Sequence, residues 1–128
     1  MTHRFAVRVY YEDTDMGGVV YHANFLKFIE RARSDWVAGL GLDQNAMREA
    51  GVVFAVRRIE ADYLRPARFG DDLEVRTRIL SASGARLVLD QRVSRGGTDL
   101  FGARVTVAAM SGAGRPVRLP AVLRAPSG

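Results

Sequence analysis

An α+β fold, with an antiparallel sheet and one long helix set on one of its faces, is predicted by three observations. Apolar residues alternate along the first stretch, with Phe5, Val7 and Val9 on one side and Arg4, Ala6, Arg8 and Tyr10 on the other. That is the period of a half-buried strand. Over residues 23–38 the period becomes three and four, and Phe25, Phe28, Ile29, Ala32, Trp36 and Val37 share a face. Beyond Gly51 the chain divides into four β-rich runs separated by turn residues. One strand, a long helix and four strands joined largely by hairpins make an α+β order.

Each element has its own signals. The first strand is expected over residues 5–11, ended by an acidic turn. Asn24 is expected to cap the long helix, and Gly39 and Gly41 to stop it. Its broad aromatic face predicts burial along its whole length. Residues 43–50 read as a short helix capped by Asp43 and closed by Gly51. The second strand is expected over residues 52–64, broken by Pro66, and the third over 71–81, with Leu73, Val75, Thr77 and Ile79 alternating. Ser83-Gly84 reads as a turn. The fourth strand covers 85–94, with Leu87, Leu89, Gln91 and Val93 on one side. Arg95-Gly96-Gly97-Thr98 reads as a hairpin turn, and residues 100–110 as the last strand. Residues 1–110 are expected to form a single domain. Residues 111–128, with a Gly-rich start and three prolines, read as a tail that is mobile or extended over the surface. Such a sheet leaves an edge, which a homodimer extending the sheet would cover.

Composition narrows the chemistry. The 128 residues suit one domain, and an apolar content of 48% supports a real core. No apolar run is long enough to span a bilayer. The N-terminus alternates and carries charge, so neither signal peptide nor anchor is expected, and cytoplasmic residence is the default. The chain has no cysteine and only His3 and His22 as histidines. A cysteine nucleophile, a disulfide frame and a Cys/His zinc site are therefore excluded. No Gly-x-Ser-x-Gly elbow, dinucleotide fingerprint or phosphate loop occurs. Neither metal nor cofactor is expected, and carboxylate is the main group left for acid–base or nucleophilic work. Net charge is +5 and almost wholly arginine, with Lys27 the one lysine. Arginine's planar fork suits phosphate, although most of these arginines read as solvated surface. Their spread along the chain argues against a nucleic-acid partner.

The stretch that concentrates unusual chemistry runs from Tyr10 to Phe25. Glu12, Asp13 and Asp15 lie within four positions, followed by Gly17-Gly18, Val19-Val20-Tyr21-His22 and the start of the helix. Glycine permits a sharp bend and a close approach to ligand. A helix start offers unpaired N–H groups that stabilise negative charge. Carboxylate, tight turn and helix start together indicate a reaction centre.

The run Tyr10-Tyr11-Glu12-Asp13-Thr14-Asp15, then Gly17-Gly18-Val19-Val20-Tyr21-His22, Asn24 and Glu30-Arg31-Ala32-Arg33 resembles the hotdog-fold acyl-CoA thioesterases. The likeness is to the 4-hydroxybenzoyl-CoA thioesterase family, and within it to the Tol–Pal-associated acyl-CoA thioesterases. Tyr63, Pro66-Ala67 and Asp71-Asp72 fall where that family has similar residues. The likeness is specific in the first third and loose up to about Val107. It implies a hotdog fold, with the sheet wrapped around the central helix. It also implies homodimers that often pair into tetramers, with active sites at the dimer interface.

Site roles follow from this resemblance. It implies Asp15 as the catalytic carboxylate, acting as nucleophile or as general base toward water. The alternative is an Asp15 that caps its turn. Asp13 is expected to accept backbone N–H groups and hold the loop, and Glu12 to face solvent or pair with an arginine. The resemblance implies that the backbone N–H of His22 polarises the thioester carbonyl. The His22 side chain either orients substrate or packs as an aromatic. Gly17 and Gly18 shape the turn, and Val19, Val20 and Tyr21 line the acyl end of the pocket. Glu30 contributes a pocket contact or an interface ion pair, or is an exposed carboxylate pairing with Ser34 or Arg33. Arg86 is a candidate for the phosphates of coenzyme A, with Arg57 and Arg58 competing. The expected substrate is a short- to medium-chain, or aryl, acyl thioester of coenzyme A or of acyl carrier protein. The alternatives are a binding module that holds an acyl thioester without turnover, and a basic nucleic-acid-binding domain.

Overall fold

A computed structural model of the protein describes residues 2–124. The strands are β1 (His3–Arg8), β2 (Val53–Tyr63), β3 (Asp72–Ser83), β4 (Arg86–Arg95) and β5 (Thr98–Met110). The helices are α1 (His22–Gly39), α2 (Gln44–Glu49) and α3 (Ala121–Arg124). The five strands form one antiparallel sheet in the order β1-β3-β4-β5-β2. This matches the α+β order read from the sequence. None of these helices is long and apolar enough to cross a membrane.

Local chemistry explains the connections. At Gly96-Gly97 both φ angles are positive, 56° and 84°. A two-residue hairpin whose twist matches its strands needs that backbone, and only glycine supplies it cheaply. Asp43 caps α2 as its position predicts, accepting the amides of Asn45 and Ala46.

The helix α1 lays Phe25, Phe28, Ile29 and Ala32 against the sheet, where Val75, Leu87, Leu89, Val93, Phe101 and Val105 point inward. Phe28 and Ile29 are fully buried. Each such side chain contributes about 1.5–3 kcal/mol of transfer free energy. One polar group is built into this layer. Gln91 is fully buried, and its Nε2 donates to the Ile29 carbonyl at 3.0 Å and to Thr77 Oγ1 at 2.9 Å. Its Oε1 accepts from Arg33 Nη1 at 2.9 Å. Alternation along β4 puts Gln91 on the core side. The helix carbonyl and the Thr77 hydroxyl satisfy its amide there.

Three expectations need correction. The first strand stops at Arg8, and Tyr11–Asp13 form a 3-10 turn. Asn24 is not a cap, because α1 already begins at His22. The segment after β5 is less loose than its composition predicts. The Leu119 amide donates to the Gly84 carbonyl at 2.9 Å, and Leu119 and Leu123 are each 1% exposed within the core. The part of the expected tail at 125–128 lies outside the described residues.

Candidate active site

Residues 14–20 fold back on themselves beside the start of α1. The Asp15 amide donates to the Val19 carbonyl at 2.9 Å, and the Gly18 amide to the Asp15 carbonyl at 3.0 Å. Thr14 and Val20 bridge across the loop. Gly18 adopts φ +78°, the left-handed position that closes such a turn into its returning arm. Val20 then joins the body of the protein through its amide, which donates to the Ala67 carbonyl at 2.7 Å.

Asp13 ties this loop to the helix. Its carboxylate is 5% exposed and fully engaged: Oδ2 accepts the Tyr10 amide at 2.9 Å and Oδ1 accepts Asn24 Nδ2 at 3.0 Å. Its main-chain carbonyl accepts the Tyr21 amide at 2.9 Å. The expectation that Asp13 holds its own turn is met, and Asn24, two residues into the helix, is the second half of the clamp. Glu12 is exposed.

Asp15 is exposed and partly committed. Its Oδ1 accepts the Gly17 amide at 2.8 Å, and among the described residues Oδ2 is left open. Turn-capping and an available carboxylate thus coexist in one side chain. A Cβ on Gly17 would stand 3.1 Å from Asp15 Oδ1, so glycine there keeps the carboxylate uncrowded.

His22 opens α1, and among the described residues its amide has no backbone acceptor. It is one of the unpaired donors of a first helical turn, at the positive end of the helix dipole. The same residue is held by its carbonyl, which accepts the Tyr63 hydroxyl at 2.8 Å. Burial disfavours the ionised phenol and raises the Tyr63 pKa. The side chains of Tyr21, His22, Phe25, Tyr63 and Phe101 form a run of aromatic contacts, with Phe25 and Phe101 stacked at 5.1 Å. Sequence reading marked Tyr63 only as a point of resemblance. Its bond to His22 spans 41 residues and leaves no local signal.

The remaining candidates divide. Val19 is half-buried and Tyr21 is 46% exposed, whereas Val20 is only 5% exposed and packs in the core. Glu30 lies two turns along α1 and lines a cavity of about 170 Å³ between that helix and the sheet. Its other walls include Arg33, Ser34, Phe54, Val56, Leu89 and Val107. Arg86 is exposed at the opposite end of the sheet. Its strand partner is Ala108, whereas the Asp15 end is marked by Tyr63, Phe101 and Val93 in register. At about 3.3 Å per residue, Arg86 is on the order of 23 Å from Val93 along β4. One chain therefore does not bring Arg86 to Asp15. Arg57 is exposed at a bulge in β2, and Arg58 approaches Glu60 at 3.6 Å.

Other arginines are occupied by carboxylates. Arg4 pairs with Glu74, Arg8 with Asp72, Arg76 with Asp99, and Arg78 and Arg92 with Asp90. Arg95 bonds Asp71 at 2.6 Å, and the Arg68 amide bonds the same oxygen at 2.8 Å. Burial works to raise the Asp71 pKa, but these two donors outweigh it and hold the carboxyl below its usual range.

An antiparallel sheet curled about one helix, with a carboxylate loop tied to the start of that helix, defines the hotdog thioesterase class. The chain belongs to the Thioesterase-like superfamily, whose family model matches residues 9–126. It is 41% identical to the acyl-CoA thioesterase YbgC of Haemophilus influenzae over 123 residues, covering 94% of this chain and 90% of that protein. It is 48% identical to the acyl-CoA thioester hydrolase YbgC of Escherichia coli O6:H1 over 90 residues, 70% of this chain and 67% of that one. Among solved structures, a probable thioesterase from Bartonella henselae superposes with a TM-score of 0.90 at 38% identity. That match covers 94% of this chain and all of the other.

Proposed function

We propose that this protein is an acyl-CoA thioesterase that hydrolyses short- to medium-chain, or aryl, acyl-CoA to the free acid and coenzyme A. One observation carries the reading: Asp15, with an open Oδ2, and His22, with an unpaired amide, stand on segments joined through Asp13, Tyr21 and Asn24. In this reading the thioester carbonyl oxygen takes the His22 N–H, which with the helix dipole stabilises the oxyanion. Asp15 either attacks the carbonyl carbon to give an anhydride that water opens, or removes a proton from the attacking water. On both routes the C–S bond breaks and the thiolate leaves and is protonated. Family membership and the two YbgC relatives support thioester hydrolysis over a binding module, which has no use for the carboxylate.

The working unit in this proposal is a homodimer, with tetramers formed by further pairing. The edge strand β2 is 11 residues long and mostly exposed. Two copies pairing antiparallel through it would set the N-terminal half of one strand against the C-terminal half of the other. Phe54 and Val56 of the first half line the Glu30 cavity, and Tyr63 of the second half holds His22. The cavity of one copy would then lie beside the Asp15–His22 end of the other and receive the acyl group. Arg57, Arg58 and Arg86 remain candidates for the phosphates of coenzyme A.

Thiol release from a panel of acyl-CoA thioesters tests the activity, since the chain has no cysteine to contribute background. Release by the wild type supports the proposal. No release from any of them, acyl carrier protein thioesters included, would overturn it. Sedimentation of the active protein as a monomer would remove the two-copy site.

A further inference from the structure

The helix residue Arg33 is the least expected group in the cavity. Burial lowers its pKa, partly offset by the charge of Glu30. Its guanidinium makes one hydrogen bond, from Nη1 to Gln91 Oε1 at 2.9 Å, and no salt bridge among the described residues. The Gln91 amide nitrogen is spent on the Ile29 carbonyl and the Thr77 hydroxyl. The carbamoyl group therefore cannot turn over, and its oxygen always faces Arg33. The buried Gln91 amide thus fixes a half-buried cation with unspent N–H groups on the wall of a mostly apolar cavity. Arg33 is only half-buried, so water in the open cavity can meet its spare N–H groups. A ligand that displaces that water must give these donors an acceptor in return.

Resting on the thioesterase reading above, we infer that Arg33 makes this cavity selective for acyl groups that carry a neutral oxygen acceptor, a hydroxyl or a carbonyl, away from the thioester. The volume of about 170 Å³ is small beside sites that hold whole ligands, and suits the end of an acyl group. A hydrocarbon end would displace water from Arg33 and give no acceptor in return. A carboxylate end would meet Glu30, which lines the same cavity. A hydroxyl can donate toward Glu30 while accepting from Arg33. Ser34 and Gln44 are the other polar groups on the wall.

The test compares three CoA thioesters of one chain length: the plain alkanoyl, its ω-hydroxy analogue and its ω-carboxy analogue. The wild type is expected to show a kcat/KM for the ω-hydroxy substrate roughly tenfold above both others, the scale expected when a buried donor gains its partner. Arg33→Met should bring the hydroxy-to-alkanoyl ratio close to one. Should that variant fail to fold with Gln91 unpaired, Arg33→Lys keeps a cation within reach of Gln91 but loses the fork, and the same ratio should fall. A ratio that is equal in wild type and a folded Arg33 variant overturns the inference, as does a wild-type preference for the alkanoyl or ω-carboxy substrate. Failure to hydrolyse any of the three would instead count against the thioesterase reading itself.

Discussion

Asn24 donates its side-chain amide to Oδ1 of Asp13 at 3.0 Å, across 11 residues of sequence. One end of this bond lies two residues before Asp15 and the other two residues after His22. Together with the Tyr21 amide on the Asp13 carbonyl, this buried contact holds the segment of the carboxylate proposed to act against that of the amide proposed to receive the oxyanion. Asn24→Ala would strip a donor from a buried carboxylate, at a cost of roughly 1.5–3 kcal/mol. Urea unfolding should show that loss, and kcat should fall with it. The double variant Asp13→Asn with Asn24→Asp redraws the same bonds with the roles exchanged. It should recover much of both, and no recovery would mean that the clamp does not work through these bonds.

Asp15→Asn keeps the side chain's shape and its acceptor for Gly17 while removing base and nucleophile. Turnover should drop by roughly 10²–10⁴-fold, with the urea midpoint little changed. A variant as active as the wild type would transfer the chemistry to another group.

The neighbouring glycines should respond differently. A Cβ at Gly18 meets nothing within 4 Å, so Gly18→Ala is penalised through its φ of +78° alone. The expected cost is about 1–2 kcal/mol of stability. Gly17 needs no positive φ, but its Cβ would stand 3.1 Å from Asp15 Oδ1. Gly17→Ala should therefore lower kcat more than stability. Equal effects at the two positions would show that the turn has one role only.

The Asp71 carboxyl, held below its usual range by the Arg68 amide and Arg95, gives a pH signature. A depressed folded-state pKa stabilises the fold above the unfolded value, near 4 for aspartate, and that contribution disappears as pH falls through the folded value. Asp71→Asn should be less stable than wild type at pH 7, and the gap should narrow below about pH 4. Urea midpoints at pH 7 and pH 3 measure this, and a constant gap would assign the loss to packing.

The sequence showed the strand and helix order because Phe5, Val7 and Val9 alternate and Phe25 to Val37 recur at helical spacing. Local chemistry also marked the Asp43 cap, the Gly96-Gly97 turn and the anchoring role of Asp13. Asn24 misled because an asparagine just ahead of an apolar run is a good cap. The Tyr21 amide is instead tied to Asp13 in space, and the helix starts earlier. The place of Arg86 depends on sheet register, which nothing near Arg86 encodes. The Arg33–Gln91–Thr77 network was likewise hidden, since its members come from three elements and each alone reads as ordinary.

The docking of Leu119 on Gly84 and the burial of Leu123 also bear on how the molecule is made. Among the described strands β1 pairs with β3 alone, so the first strand of the chain is held by one far along it. Leu119 and Leu123, far along the sequence from α1, complete the core cluster that Phe28 and Ile29 of that helix begin. The segment after β5 is thus part of the core and no appendage to it, and a chain shortened before Leu119 would expose apolar surface that these two leucines cover.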